Sequence, residues 1–480
     1  MLFNSFEFAI FLPIVFLLYW FAFKELKWQN LFLLGVSYLF YGWWDWRFLW
    51  LLIFSSVVDF LVAKQIHRLA EQRIRSLFLG ISLFTNLGLL GFFKYYNFFI
   101  EQFIAAFEGL GVSLHASTLQ IILPVGISFY TFQTLSYTID VYRKKIKPVD
   151  TWYIFFAYVS FFPQLVAGPI ERASNLLPQF SKKRKFDYGQ ARDGMQQILG
   201  GLFKKVVIAD TCAGIVDATF LNYADLNTGA LLLGIFFFAI QIYCDFSGYS
   251  DIAIGVARLL GFNLMRNFAF PYFSRDVAEF WRRWHISLST WFRDYLYIPL
   301  GGSRVKSKGR LVFNIMAIFL VSGFWHGANW TFIVWGALHA LYFLPNILLG
   351  KNRRHLDVVA AGKYLPGPKA LFDMGTTFML VCLAWVFFRA ESVGHALDYL
   401  SHIFSGFDFS VKPFRKNILL LFGIALLFSL EWWQRDREHA FQFNKNQLNK
   451  FGRMSIYICT ALAILLLSPT EQSVFIYFQF

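Results

Sequence analysis

Between Arg310 and Lys351 the chain runs for 40 residues, Leu311 to Gly350, without an Asp, Glu, Lys or Arg. As helix at ~1.5 Å per residue this run is roughly 60 Å long, about twice the ~30 Å hydrocarbon core of a bilayer. It therefore reads as two crossings joined by a turn. Composition agrees: 57% of the 480 residues are hydrophobic and 15% are charged, against roughly 25% charged in soluble domains. Too little polar surface is available for a water-exposed globule of this size.

Further apolar runs lie at 29–42, 48–63, 77–93, 119–138, 152–168, 229–243, 370–388, 417–430 and 455–468, after a first run that precedes Lys24. That first run lacks a cationic leader and reads as a retained span. The pattern predicts an all-α polytopic membrane protein with about 11–12 transmembrane helices plus re-entrant or interfacial helices. No repeat and no polar stretch of domain size interrupts it, so residues 1–480 read as one membrane domain, with spans in 1–270, a core in 271–350 and further spans in 351–480. The lack of repeats weighs against a transporter.

The net charge of +15 is read as membrane topology, not nucleic-acid binding. Loops at 24–28, 64–75 and 140–150 are net positive, whereas 43–47 and 94–118 are neutral or negative. This alternation places the N-terminus outside. The positive strip 171–194 breaks it, so the segment through Phe161-Phe162-Pro163 and Gly168-Pro169 is expected not to cross simply. The four cysteines are scattered and suggest neither a disulfide framework nor a metal site.

Within Ser274–Leu300, the residues Val277, Trp281, Trp284, Leu288, Trp291 and Tyr295 recur at helical spacing, with Arg275, Arg282 and Arg293 opposite. One amphipathic interfacial helix is expected, with His285 in its aromatic face. His326 stands in the charge-free run inside Ser322-Gly323-Phe324-Trp325-His326-Gly327-Ala328-Asn329. An ionisable group there is costly and marks a candidate site, and the flanking glycines allow close approach. A buried neutral imidazole suits a general base that takes a proton from a hydroxyl attacking a thioester. His339 reads as a packing residue. Asp245, Ser247 and Asp251, in an apolar context, either line a polar passage or tie helix ends together. Arg304, Lys306, Lys308 and Arg310 either meet donor phosphates or only mark the cytoplasmic side. Nucleophile-elbow, Walker and zinc-protease signatures are absent from the sequence.

The segments FFPQLVAGPI (161–170), QIYCDFSGYSDIAIG (241–255), FWRRWHISLSTWFRDYLYIPLGG (280–302), SGFWHGANWTFIVWGALHA (322–340) and WVFFRA (385–390) resemble the membrane-bound O-acyltransferases, in the alginate O-acetyltransferase branch. The likeness runs along essentially the whole chain. It implies a ring of tilted helices around a central tunnel, with His326 catalytic and His285 as a second family histidine. Trp325, Asn329, Asp245, Ser247, Asp251, Trp281 and Trp284 are taken as candidates to line such a tunnel, and Arg282, Arg283, Arg304 and Lys306 as donor-binding candidates. The terminal FIYFQF is similar to the last motif of a small peptide that accompanies D-alanine-transferring relatives, which makes Tyr477 a candidate carrier of the acyl group.

These readings give an expected activity: acetyl transfer from cytosolic acetyl-CoA, or from an acyl carrier protein, to hydroxyls of an extracytoplasmic polysaccharide. The alternatives are a sugar exporter and a non-catalytic docking partner. No tightly bound cofactor and no metal are expected. Membrane lipids and a periplasmic acetyltransferase are the implied partners, and a bacterial inner membrane is the implied location.

Overall fold

The computed structural model describes all residues except 113–117, 406–407, 411–416, 444–446, 470–472, 474 and 477–480. The described residues are helical with irregular connections and contain no strand. Among the described residues, seven helical stretches are long and apolar enough to cross a membrane: Leu26–Arg68, Gln72–Glu108, Thr228–Leu259, Lys308–His326, Trp330–Leu348, Pro368–Arg389 and Lys450–Leu467. Shorter apolar helices cover Phe6–Ala22 and Ile418–Trp433. The chain is a multi-pass membrane protein. Its contacts fall into two compact units, residues 1–188 with 257–264, and residues 189–256 with 265–480.

The first unit holds α1 (Phe6–Leu17), α2 (Leu26–Asp45), α3 (Leu49–Arg68), α4 (Gln72–Leu90), α5 (Tyr96–Glu108), α6 (Ile127–Tyr142), α7 (Trp152–Ser160), α8 (Phe162–Leu165) and α9 (Ala173–Phe180). A buried carboxylate joins three of these helices. Asp59 of α3 accepts from Ser82 and from Asn86 Nδ2 (2.8 Å) of α4, and from Thr138 Oγ1 (2.9 Å) of α6. A polar group in an apolar bundle is tolerated only when satisfied in this way. The run 152–168 does not form one helix: it breaks at Phe161, and the Phe162 N–H donates to Ser37 Oγ (3.1 Å) instead of to a preceding turn. Pro163 sits at the start of the short helix that follows, where its missing N–H costs nothing. The run 119–138 is helical only from Ile127 onward.

The second unit holds α10 (Tyr188–Leu202), α11 (Asp210–Leu221), α12 (Thr228–Leu259), α13 (Val277–Arg283), α14 (Ile286–Phe292), α15 (Lys308–His326), α16 (Trp330–Leu348), α17 (Pro368–Arg389), α18 (Val393–Ser405), α19 (Ile418–Trp433) and α20 (Lys450–Leu467). The last residues of α12, from Ala257, pack in the first unit. A wide π turn, Phe203–Ala209, links α10 to α11.

Two glycine crossings set this unit. A Cβ on Gly201 of α10 would stand 2.6 Å from the carbonyl of Gly248 in α12, so these backbones touch only because both residues lack side chains. On α15 and α16, Gly323 and Gly336 face one another, and a Cβ on either would overlap a backbone carbonyl, that of Phe332 or of Phe319. This is the small-residue packing expected between membrane helices. It folds the charge-free run into the expected hairpin and turns the end of α15 onto α16.

The single interfacial helix expected over 274–300 is not what forms. The chain makes two short helices, α13 and α14, broken at Trp284-His285, followed by a π turn at Arg293–Tyr297. His285 has φ +43°, a left-handed conformation rare outside glycine. Long-range bonds hold it there, because Ile286 N–H donates to the Asn267 carbonyl (2.8 Å).

Gly336→Ala is expected to lower the apparent stability of the purified protein by roughly 1–3 kcal/mol through overpacking. The check is the melting temperature in detergent, and an unchanged value would mean the α15–α16 crossing is looser than described.

Candidate active site

The second unit brings together the aromatic and histidine residues of four separate stretches of sequence. His326 ends α15, is 3% exposed, and sits among the rings of Trp325 (5.0 Å between centroids), Trp335 (5.1 Å) and Phe388 (5.4 Å). Gly327 follows in extended backbone and leaves space that the Phe332 ring fills. His285 is 1% exposed, with its ring 6.2 Å from Trp325 and 4.6 Å from Phe246. Trp325 thus packs against both histidines.

The tautomer of His285 follows from its neighbours. Asn267 Oδ1 lies 3.0 Å from His285 Nδ1 and also accepts from the backbone N–H (3.3 Å) and hydroxyl (2.9 Å) of Ser287. A backbone N–H only donates, so the atom facing it is the amide oxygen, and the imidazole carries its proton on Nδ1. Asn267 Nδ2 in turn donates to Ser250 Oγ (3.1 Å). His285 lies outside the seven membrane-length helices, and burial pushes its pKa down to about 3, so it is neutral at physiological pH. Its Nε2 is then the basic nitrogen.

His339 belongs to the same cluster: Trp281 Nε1–H donates to its Nδ1 (3.3 Å), and its ring lies 4.9 Å from Trp335. It therefore joins the packing that surrounds His326. Trp284 is buried against Trp385 (5.1 Å) and Phe280 (5.4 Å).

A cavity of about 470 Å³ opens beside this cluster, with Trp281, Arg282, Arg293, Phe319, Ser322 and Arg353 among its lining residues. Ser322 is four residues before His326 on α15, hence on the same helix face. Arg282 donates to the carbonyls of Asn352 (2.5 Å) and His355 (2.8 Å), which holds its guanidinium in the cavity wall. Arg283 is placed differently, ion-paired to Glu279 (2.8 Å). Arg304 and Lys306 lie exposed in the connection before α15.

The carboxylates near 245–251 form ion pairs. Lys204 reaches Asp251 (3.1 Å) and Glu431 of α19 (2.9 Å), while Lys205 reaches Asp210 and Asp245 (both 2.8 Å). Ser247 is buried on α12 between them in sequence. Asn329 caps α16 by accepting from Thr331 N–H (3.0 Å), and its Nδ2 donates to the Glu391 carbonyl (2.9 Å). Tyr477 lies outside the described residues. Asn267, Trp335 and Phe388 are site neighbours that the motif reading did not single out. Their signal was only their place in or beside the matching segments.

Residues 152–388 match the membrane-bound O-acyltransferase family. A protein of Azotobacter vinelandii named probable alginate O-acetylase AlgI is 40% identical over 430 residues, covering 89% of this chain and 83% of that protein. The peptidoglycan O-acetyltransferase of Helicobacter pylori is 34% identical over 532 aligned positions, covering all of this chain and 98% of that protein. The teichoic acid D-alanyltransferase of Streptococcus thermophilus is 30% identical over 282 residues, 55% of this chain and 68% of that protein. By the identity and coverage of these relatives, the chain belongs to the membrane-bound O-acyltransferase family and is an acyltransferase.

Proposed function

We propose that this chain moves an acetyl group from cytosolic acetyl-CoA to hydroxyls of an extracytoplasmic polysaccharide, with His326 as the general base. The observation that carries the reading is His326 buried one helical turn beyond Ser322, which lines a cavity walled by Trp281 and Arg282. A cavity of this size suits the thin arm of a thioester donor, and arginines at its wall suit the donor's phosphates. Relatives named for alginate and peptidoglycan O-acetylation support a glycan hydroxyl as acceptor. A periplasmic acetyltransferase then completes delivery to the polymer.

In the transfer step the hydroxyl oxygen attacks the thioester carbonyl carbon while its proton passes to the imidazole. The carbon–sulfur bond breaks, and the leaving thiolate takes that proton back. Apolar rings around the base exclude water, which would otherwise hydrolyse the thioester. Tyr477 serves as the first acceptor: its phenolic hydroxyl makes the attack on the thioester and carries the acetyl group as an ester, and when that group passes on by way of the periplasmic acetyltransferase to a glycan hydroxyl, the phenolate takes up the proton that hydroxyl gives up. The basic ends of the α15–α16 hairpin, Arg304–Arg310 and Lys351–Arg354, face the cytoplasm in this reading, and the N-terminus faces outward in an inner membrane.

His326→Ala is expected to lower label transfer from radiolabelled acetyl-CoA by roughly 10²–10⁴-fold in purified protein, the usual weight of a general base. Transfer that survives the substitution would remove the base assignment, and failure to bind acetyl-CoA would remove the donor.

Tyr477→Phe is expected to abolish an alkali-labile acetyl label on the protein and, with it, transfer. Intact transfer in this variant would rule out the relay.

His285 supplies a pH test. Its folded-state pKa lies below the ordinary 6.5, so protonation favours the unfolded chain. The stabilisation is complete above about pH 6.5 and is lost as the pH falls toward the folded value. The melting temperature of wild type should drop more steeply than that of His285→Gln between about pH 6.5 and pH 4. Parallel curves would show that His285 is not held neutral.

A further inference from the structure

The ion pairs around Lys205 do more than join helices, because they also bind a segment that follows α20. Lys205, 1% exposed, donates to the Ser473 carbonyl (3.2 Å) as well as pairing with Asp210 and Asp245. The Ser473 hydroxyl donates to Asp210, and the Ile476 N–H donates to Asp245 Oδ2 (2.7 Å). Phe475 and Ile476 are each 1% exposed. Phe475 packs on Tyr249 (4.8 Å) and Phe246 (6.0 Å), and Phe246 is the ring set edge-on against His285. A line of direct contacts therefore leads from the buried ammonium, through Ser473, Ile476, Phe475 and Phe246, to a histidine of the site.

We infer that Lys205, Asp210 and Asp245 form a latch that holds Ser473, Phe475 and Ile476 as one wall of the acyl-transfer site, so that Lys205 and Asp245 are positioning residues for the reaction. Among the described residues, an apolar interior leaves the latch groups only one another and the segment as partners. Ion pairing alone satisfies the lysine only partly, since an ammonium has three donors. The Ser473 carbonyl takes one of them and Asp210 Oδ1 another (2.8 Å), while Asp245 adds its charge at 2.8 Å. Asp245 in turn has acceptor capacity beyond Lys205, which a backbone N–H fills. The segment thus gives Lys205 an acceptor and gives Asp210 and Asp245 a donor each, while the Ser473 carbonyl and the Ile476 N–H find their partners in the latch, the pairing that buried polar groups favour. The geometry fits a fixed strap and not an adventitious contact, because three bonds to two residues of the segment fix both its position and its direction. The effect on turnover rests on the transfer reading above, whereas the latch itself does not.

Hydrogen exchange of full-length protein, followed by mass spectrometry of the peptide that spans Ser473–Ile476, tests this directly. Asp245→Asn removes the charge that Lys205 and Ile476 share. Ile476→Pro removes the N–H donor, together with the buried isoleucine side chain, and leaves Lys205, Asp210 and Asp245 untouched. In both variants exchange in this peptide should speed up about tenfold or more while peptides of α15 and α16 keep wild-type protection, the signature of local opening. Acetyl transfer should lose about tenfold or more in kcat with KM for acetyl-CoA nearly unchanged, as for a wall that matters once the donor is bound. Wild-type protection in Ile476→Pro would overturn the latch, and should Asp245→Asn not fold, that variant decides alone. A changed KM with unchanged kcat would overturn the positioning role. Faster exchange in a protein that does not use acetyl-CoA supports the latch and removes only the donor assignment.

Discussion

Two adjacent lysines buried in an apolar interior are the constraint on which the second unit depends. Lys204 and Lys205 are 3% and 1% exposed, and four carboxylates from three helices meet them: Asp210 of α11, Asp245 and Asp251 of α12, and Glu431 of α19. Charges so placed cost several kcal/mol each unless matched in good geometry, and losing one partner of a buried pair typically costs about 3–5 kcal/mol. The helices are thus not free to choose other registers. Close approach is what makes the match possible, and the glycine contact of Gly201 with Gly248 brings α10 and α12 near enough for short bonds. The π turn at Phe203–Ala209 carries both lysines, consistent with the tendency of such wide turns to occur where side chains have a special task.

The aromatic cluster is the other half of the same logic. Where α10 and α12 are joined by charge, α13 to α17 are joined by rings: Trp281, Trp284, Trp335, Trp385 and Phe388 pack around His326 and His339 at centroid distances of about 5–6 Å. Edge-to-face packing of this kind fixes orientation as well as burial. It also encloses both imidazoles in an apolar pocket. The α15–α16 glycine crossing delivers His326 to this pocket, so one backbone contact and one set of rings define where this imidazole stands.

How much of this was legible in the sequence depends on whether the cause was local. The charge-free run Leu311–Gly350 announced the α15–α16 hairpin, because excluding charge over 40 residues is a property of the run itself. The proline-bearing stretch after Ser160 likewise announced its break. The kink at His285 was not legible, since periodicity through 277–295 fits one helix and the residue that breaks it, Asn267, lies 18 positions away. The partners of Asp245 and Asp251 were beyond reach for the same reason: Lys204 stands 47 positions from Asp251, and Tyr243 bonds to Glu431 across 188. Asn329 looked like a tunnel residue, yet its place just before Trp330 is also a helix N-cap, and the cap is what the structure displays. His339 carried no motif of its own. Its part in the cluster arises from Trp281 on another helix.

The choice of partner behind His285 explains why charge and chemistry are kept apart. A carboxylate at Nδ1 would stabilise the imidazolium and make the ring more basic, as it does in catalytic triads. Here the oxygen at Nδ1 belongs to the amide of Asn267, which is itself fixed by Ser250 and Ser287. An amide orients the ring and sets its tautomer without adding negative charge. The nearby carboxylates Asp245 and Asp251 are bound to lysines, and the Phe246 ring packs edge-on against His285 from the same helix, α12. A site built this way can keep its histidine neutral inside a bundle that needs several buried ions to hold together, because the ions neutralise one another before their field reaches the ring.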